Sequence, residues 1–80
     1  MKHFRVNNNS WQGYQERYAM HAIDVVRIIN ARKWDTYEVE WKNPVTGGYI
    51  TLIKVKNGKR VYTNDFFIIP KTFNKLGKTA

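Results

Sequence analysis

Asn57-Gly58 restricts this chain more than any other pair of residues. A two-residue hairpin loop needs positive φ at both positions, and Asn followed by Gly supplies it at least cost. The flanks, YITLIKVK before and KRVYT after, are rich in β-branched and aromatic residues. The chain is therefore expected to fold back here as two antiparallel strands, pairing Lys56 with Lys59, Val55 with Arg60, Lys54 with Val61 and Ile53 with Tyr62. In that register Ile53, Val55 and Tyr62 face inward, and Lys54, Lys56 and Lys59 face outward together. Two lysines then stand opposite each other at the tip. Like charges directly across a ladder destabilise it, so their presence calls for a reason other than folding.

Upstream, TYEVEWK alternates with period two, placing Tyr37, Val39 and Trp41 on one face and Glu38, Glu40 and Lys42 on the other. That is the pattern of a half-buried strand. The β-branched run Asp24-Val25-Val26-Arg27-Ile28-Ile29 predicts a further strand, and Phe66-Phe67-Ile68-Ile69 predicts a fifth, ended by Pro70. Residues 10–21 are expected to form a short helix capped by Asn9 or Ser10, because Trp11, Tyr14 and Tyr18 recur at helical spacing. Gly13 inside it costs up to about 1 kcal/mol relative to Ala. Asn7-Asn8-Asn9 reads as a turn. Residues 71–80 read as a loose basic tail, although Phe73 and Leu76 are spaced as one helical turn would space them.

The segments VVRI, YEVEW, GGYITLIKV and NGKRVY, with the tight turn Thr63-Asn64-Asp65 before FFII, resemble an SH3-like barrel of the Tudor or KOW kind. The resemblance covers Ile23 to Pro70 and lies at the level of the fold. It implies a mainly β (α+β) domain, a small five-stranded antiparallel barrel over residues 23–70 with a short N-terminal helix. The loop ARKWD departs from the Gly-Lys-Gly loop of many KOW sequences. A helix packed on an antiparallel sheet of four or five strands is the alternative architecture.

With 80 residues the chain makes one domain. A domain this small buries only about 60% of the surface its unfolded form exposes. There is no cysteine, so neither a disulfide framework nor a thiolate zinc site is available. His3 and His21 are too few for a metal shell of three or four donors. No phosphate-binding glycine loop or nucleophile motif occurs, and the carboxylates sit among lysines or at strand ends, so no enzyme activity and no cofactor is expected. The longest apolar runs are far shorter than the ~20 residues that span a bilayer. MKHFRVNNNS lacks the apolar stretch of a secretory signal. No membrane partner and a cytoplasmic location are expected.

Fourteen basic against six acidic residues give a net charge of +8. On so small a surface this attracts polyanions, of which DNA and RNA are the commonest. The paired lysines then have their reason, since phosphates relieve the repulsion. The residues expected to carry binding are Lys54, Lys56, Lys59 and Arg60 from the hairpin, with Arg27, Arg32, Lys33 and Trp34 from the segment before YEVEW. Trp34 is expected to stack on a base, anchor a partner or fold back as a lid on the core. With no recognition helix in the pattern, contact falls on the backbone with low sequence specificity. A different class of function also fits: a small adaptor or inhibitor, of the kind phages encode, docking on a larger nucleic-acid-processing protein such as a polymerase or nuclease.

Overall fold

The computed structural model describes residues 3–10 and 13–77. It contains β1 (Phe4–Ser10), β2 (Gly13–Ala19), α1 (Ala22–Arg32), β3 (Tyr37–Lys42), β4 (Tyr49–Lys56), β5 (Lys59–Thr63) and a 3₁₀ helix, Lys71–Lys75. The five strands form one antiparallel sheet in the order β2-β1-β3-β4-β5. β2 and β5 are its edges, and the sheet does not close into the barrel that the sequence resembles. Among the described residues no helix is long and apolar enough to cross a membrane.

Helix α1 replaces the strand expected at Asp24–Ile29. Ala22, Val25, Val26 and Ile29 follow the i, i+3, i+4, i+7 spacing of one helical face. Val25, Val26 and Ile29 are buried, while Arg27 and Asn30 face water. Packing that stripe on the sheet outweighs the modest helix cost of β-branched residues. Asp24 in the first turn and Arg32 in the last complement the helix dipole.

The helix expected over residues 10–21 is corrected to strand β2; Trp11 lies outside the described residues. Tyr14 and Tyr18 are four apart, a spacing that one face of a strand satisfies as well as one face of a helix. Asn7 and Asn8 belong to β1 rather than a turn. Both are buried, and their side chains are held by Glu40 and by the Thr36 carbonyl, at 3.2 Å in the second case.

α1 and the 3₁₀ helix cover one face of the sheet. Val6, Val39, Ile53 and Val55 from the strands meet Val25 and Ile29 from α1. Full burial of an aliphatic or aromatic side chain contributes about 1.5–3 kcal/mol. The C-terminal segment is part of this core rather than a loose tail. Phe73 is fully buried and meets the Phe4 ring edge to face, with centroids 5.5 Å apart, and Leu76 is buried beside it. Gly77 follows with φ of 64°. A Cβ there would lie 3.0 Å from Val55 Cγ2 and 3.2 Å from the Arg60 nitrogen, so the chain passes too close for a side chain.

The fifth strand expected at Phe66–Ile69 is instead an irregular loop. Asn64 organises it, its amide nitrogen donating to the Leu52 carbonyl and its Nδ2 to the Thr51 carbonyl, while its Oδ1 accepts from the Phe66 N–H. These bonds pin the turn to β4, and Phe66 and Ile68 are left in solvent.

Candidate nucleic-acid interface

Asn57 and Gly58 have φ of 53° and 76°, the positive values a two-residue hairpin demands. Lys56 pairs with Lys59 and Val55 with Arg60, as the turn predicts. Beyond those rungs a bulge sets Lys54 opposite Tyr62 and Ile53 opposite Thr63, displacing Val61. Tyr62 therefore shares the outer face with Lys54 instead of pointing inward.

A second basic loop meets this tip. α1 ends at Lys33, a C-cap in the left-handed region whose N–H donates to the Asn30 carbonyl at 3.2 Å. The chain then runs through Trp34 to Asp35, whose carbonyl accepts the Gly58 N–H at 2.8 Å. The Asn57 N–H donates to Thr36 Oγ1 at 3.2 Å. Two backbone donors of the hairpin tip are thereby tied to the loop carrying Arg32, Lys33 and Trp34.

Five cations result at one end of the molecule. Arg32, Lys33, Lys56 and Lys59 are exposed there, and the 3₁₀ helix brings Lys75 to the rim of a hollow of about 270 Å³ that Trp34, Asn30 and Gly58 also line. Trp34 is half-buried against the core, and the Arg32 guanidinium lies 5.7 Å from its ring centroid. Trp34 thus serves as the expected lid while keeping part of its surface at the basic end. Lys75 is not among the site residues expected from the sequence. Its one sequence signal is the Phe73, Leu76 spacing that folds the segment bearing it.

The other expected site residues lie elsewhere. Arg27 sits on α1 about 7 Å along the axis from Arg32, with Asp24 Oδ1 3.4 Å from its Nη1. Lys54 stands on the outer sheet face, 3.9 Å from Glu38 Oε1 and 5.9 Å from the Tyr62 ring centroid. Arg60 is turned inward. Its Nε donates to the Leu76 carbonyl at 3.1 Å and its Nη2 donates to the carbonyls of Phe73 at 2.8 Å and Leu76 at 2.5 Å. Its guanidinium holds the end of the 3₁₀ helix, which leaves it poorly placed to contact a phosphate.

The outer face of the sheet has its own polar order. Glu40, expected in solvent, is buried beneath Arg5 and Asn7: the Arg5 Nε donates to Glu40 Oε2 at 3.0 Å, and the Asn7 amide donates to Oε1. The Arg5 guanidinium also lies 3.7 Å from the Tyr49 ring centroid. On β2, Tyr18 Oη donates to Glu16 Oε2 at 2.5 Å. Hydrogen bonds from Tyr18 and Tyr14 hold the Glu16 carboxyl below its usual value. Desolvation against the sheet, with the Glu16 carboxylate alongside, pushes the Tyr14 phenol up to about 12.

Among the described residues no three His, Cys, Asp or Glu side chains gather as metal ligands would. Comparison with models of known families, with curated proteins and with solved structures gives no match.

Proposed function

We propose that this protein binds nucleic acid through the phosphate backbone, using the end where Arg32, Lys33, Lys56, Lys59 and Lys75 surround Trp34. The observation that carries the proposal is the bond from the Gly58 N–H to the Asp35 carbonyl, which locks two basic loops into one surface. The cations there are exposed, and the like-charged Lys56 and Lys59 pair is relieved when phosphates occupy it. Contacts of this kind position a protein on the backbone and carry little sequence information.

Fluorescence polarisation with generic DNA and RNA across a salt series tests the proposal. Replacing Lys56 and Lys59 together with Gln should weaken binding to all sequences about equally. It should also lower the slope of log K against log salt by about 0.7–0.9 for each phosphate that the variant no longer neutralises. Absence of binding at tens of micromolar protein would refute it, since non-specific Kd values run from about 10⁻⁴ to 10⁻⁶ M at physiological salt.

One observation favours a second function, the adaptor that docks on a larger protein. Apolar side chains stand in solvent on the loops away from that end: Val45, Phe66 and Ile68 are 90%, 97% and 100% exposed. Phe66 and Ile68 line a hollow of about 390 Å³ together with Phe4, Trp41, Leu52 and Phe67. Retention of one protein in a pull-down after nuclease treatment, abolished on changing Phe66 and Ile68 to Ser, would support it.

A further inference from the structure

Among the described residues no helix covers the sheet face away from α1, and the strand register sets its residues in rows. One row runs Glu16, Asn7, Glu38, Lys54, Tyr62 from edge to edge, the next Tyr18, Arg5, Glu40, Thr51, and Lys42 pairs with Tyr49 beyond it. Tyr14 continues the β2 column toward the basic end. Tyr14, Tyr18 and Tyr62 are 55%, 39% and 43% exposed. Tyr49 is half-buried under the Arg5 guanidinium, so the outer plane at that position is cationic.

Burial does not account for these rings, because the core lies on the other side. We infer that this face is a stacking platform for single-stranded nucleic acid, with bases laid on Tyr14, Tyr18, Tyr62 and the Arg5–Tyr49 pair and phosphates at the basic rim. The inference rests on the function proposed above and adds to it the strandedness of the ligand. Base stacking on aromatic rings tolerates any sequence, because every base has a π face, and an arginine plane serves the same purpose. A duplex keeps those faces inside its stack.

The charge arrangement selects the same occupant. Glu38 and Glu40 stand on the central strand β3 and Glu16 on the edge strand β2, engaged by Lys54, Arg5 and Tyr18 respectively. The part-exposed carboxylates of Glu16 and Glu38 repel phosphates but accept hydrogen bonds from exocyclic amino groups of bases, while Glu40 is buried beneath Arg5 and Asn7. Lys54 on β4 stands beside Glu38, and further cations, Lys56 and Lys59, stand at the hairpin tip, where the sheet face and the basic end share residues. Four strand spacings separate the edges, about 19 Å, enough for several nucleotides laid across.

The test compares a single-stranded DNA 20-mer, the RNA of the same sequence and the corresponding DNA duplex by polarisation, for the wild type, Tyr62→Leu, Tyr14→Leu, and Lys56→Gln with Lys59→Gln. Urea midpoints of all variants confirm that folding is retained. The wild type is expected to bind single strands at least tenfold more tightly than duplex. Each tyrosine variant should bind single strands about 5- to 100-fold more weakly with its salt slope unchanged, and duplex nearly as before. Equal affinity for single strands and duplex, or no effect of either tyrosine change, overturns the platform. The backbone-binding function survives that outcome if the lysine variant still binds more weakly than the wild type. Failure of all three ligands to bind overturns both.

Discussion

Replacing Arg60 with Met keeps most of the apolar stem and removes the guanidinium. Three hydrogen bonds to the carbonyls of Phe73 and Leu76 disappear, and those acceptors close the end of the 3₁₀ helix over the core. A hydrogen bond to a charged group contributes about 1.5–3 kcal/mol net. The three share two acceptors and a half-buried donor, so their sum is well below three independent bonds. A destabilisation of about 2–3 kcal/mol is expected. For a domain of this size total stability is about 4–12 kcal/mol, so the variant should fold yet unfold at clearly lower denaturant. Taking an m-value near the low end of the urea range, about 1–1.5 kcal/mol/M, the midpoint should fall by about 1.5–3 M, followed by tryptophan fluorescence. Nucleic-acid affinity below the transition should keep its salt slope, because Arg60 is not a phosphate contact. An unchanged midpoint with a slope reduced by about one unit would show that Arg60 swings out to the ligand, and the latch would be wrong.

Phe73→Ala should cost about 3–5 kcal/mol, a midpoint shift in urea that a side chain on a solvated tail would not produce. In alkali the sign follows from the raised phenol of Tyr14, up to about 12 from an ordinary 10.0. The folded state holds this proton more tightly, so the associated stability is complete below pH 10 and is lost as pH rises from 10 through about 12. Urea midpoints should fall over that window more steeply for the wild type than for Tyr14→Phe, and identical curves would remove Tyr14 from the explanation. Burial raises the Tyr37 phenol in the same direction, so phenolate absorbance should lag behind that of the unfolded chain.

The hairpin and β3 were legible because their signals are local and have only one interpretation. Asn57-Gly58 demands positive φ, and Tyr37, Val39 and Trp41 alternate without a competing period. α1 and β2 were exchanged for the opposite reason. Val25-Val26 and Ile28-Ile29 are β-branched pairs whose helical spacing shows only when Ala22 is counted with them, and Tyr14 and Tyr18 fit two periods at once. The apolar run Phe66–Ile69 has the composition of a strand, but no neighbouring edge pairs with it, and composition does not reveal partners. At the candidate site, the exposure of Arg32, Lys33, Lys56 and Lys59 was legible because loops and turns expose charge. The inward placement of Arg60 was implicit in the expected register, which already set it opposite the buried Val55. Lys54 faces Tyr62 instead of Val61 because the bulge beside Val55 has no mark in the sequence.

The order β2-β1-β3-β4-β5 makes the sheet two locally closed pieces, the β1–β2 hairpin and the β3–β4–β5 meander, sewn along a single seam. Each piece forms by short-range contacts, but the seam pairs Phe4 with Trp41 across β2 and all of α1, so its closure carries the loop entropy of the fold and comes late. The stitches across it are the bonds from Arg5 and Asn7 to Glu40. Amide exchange should accordingly find sub-global opening at β1 and β3 before it finds disruption of the meander. A seam opened in a crowded solution presents two complementary edges of the same chain, and exchange of β1, β2 and α1 between two molecules would then be a low-cost route to a domain-swapped dimer.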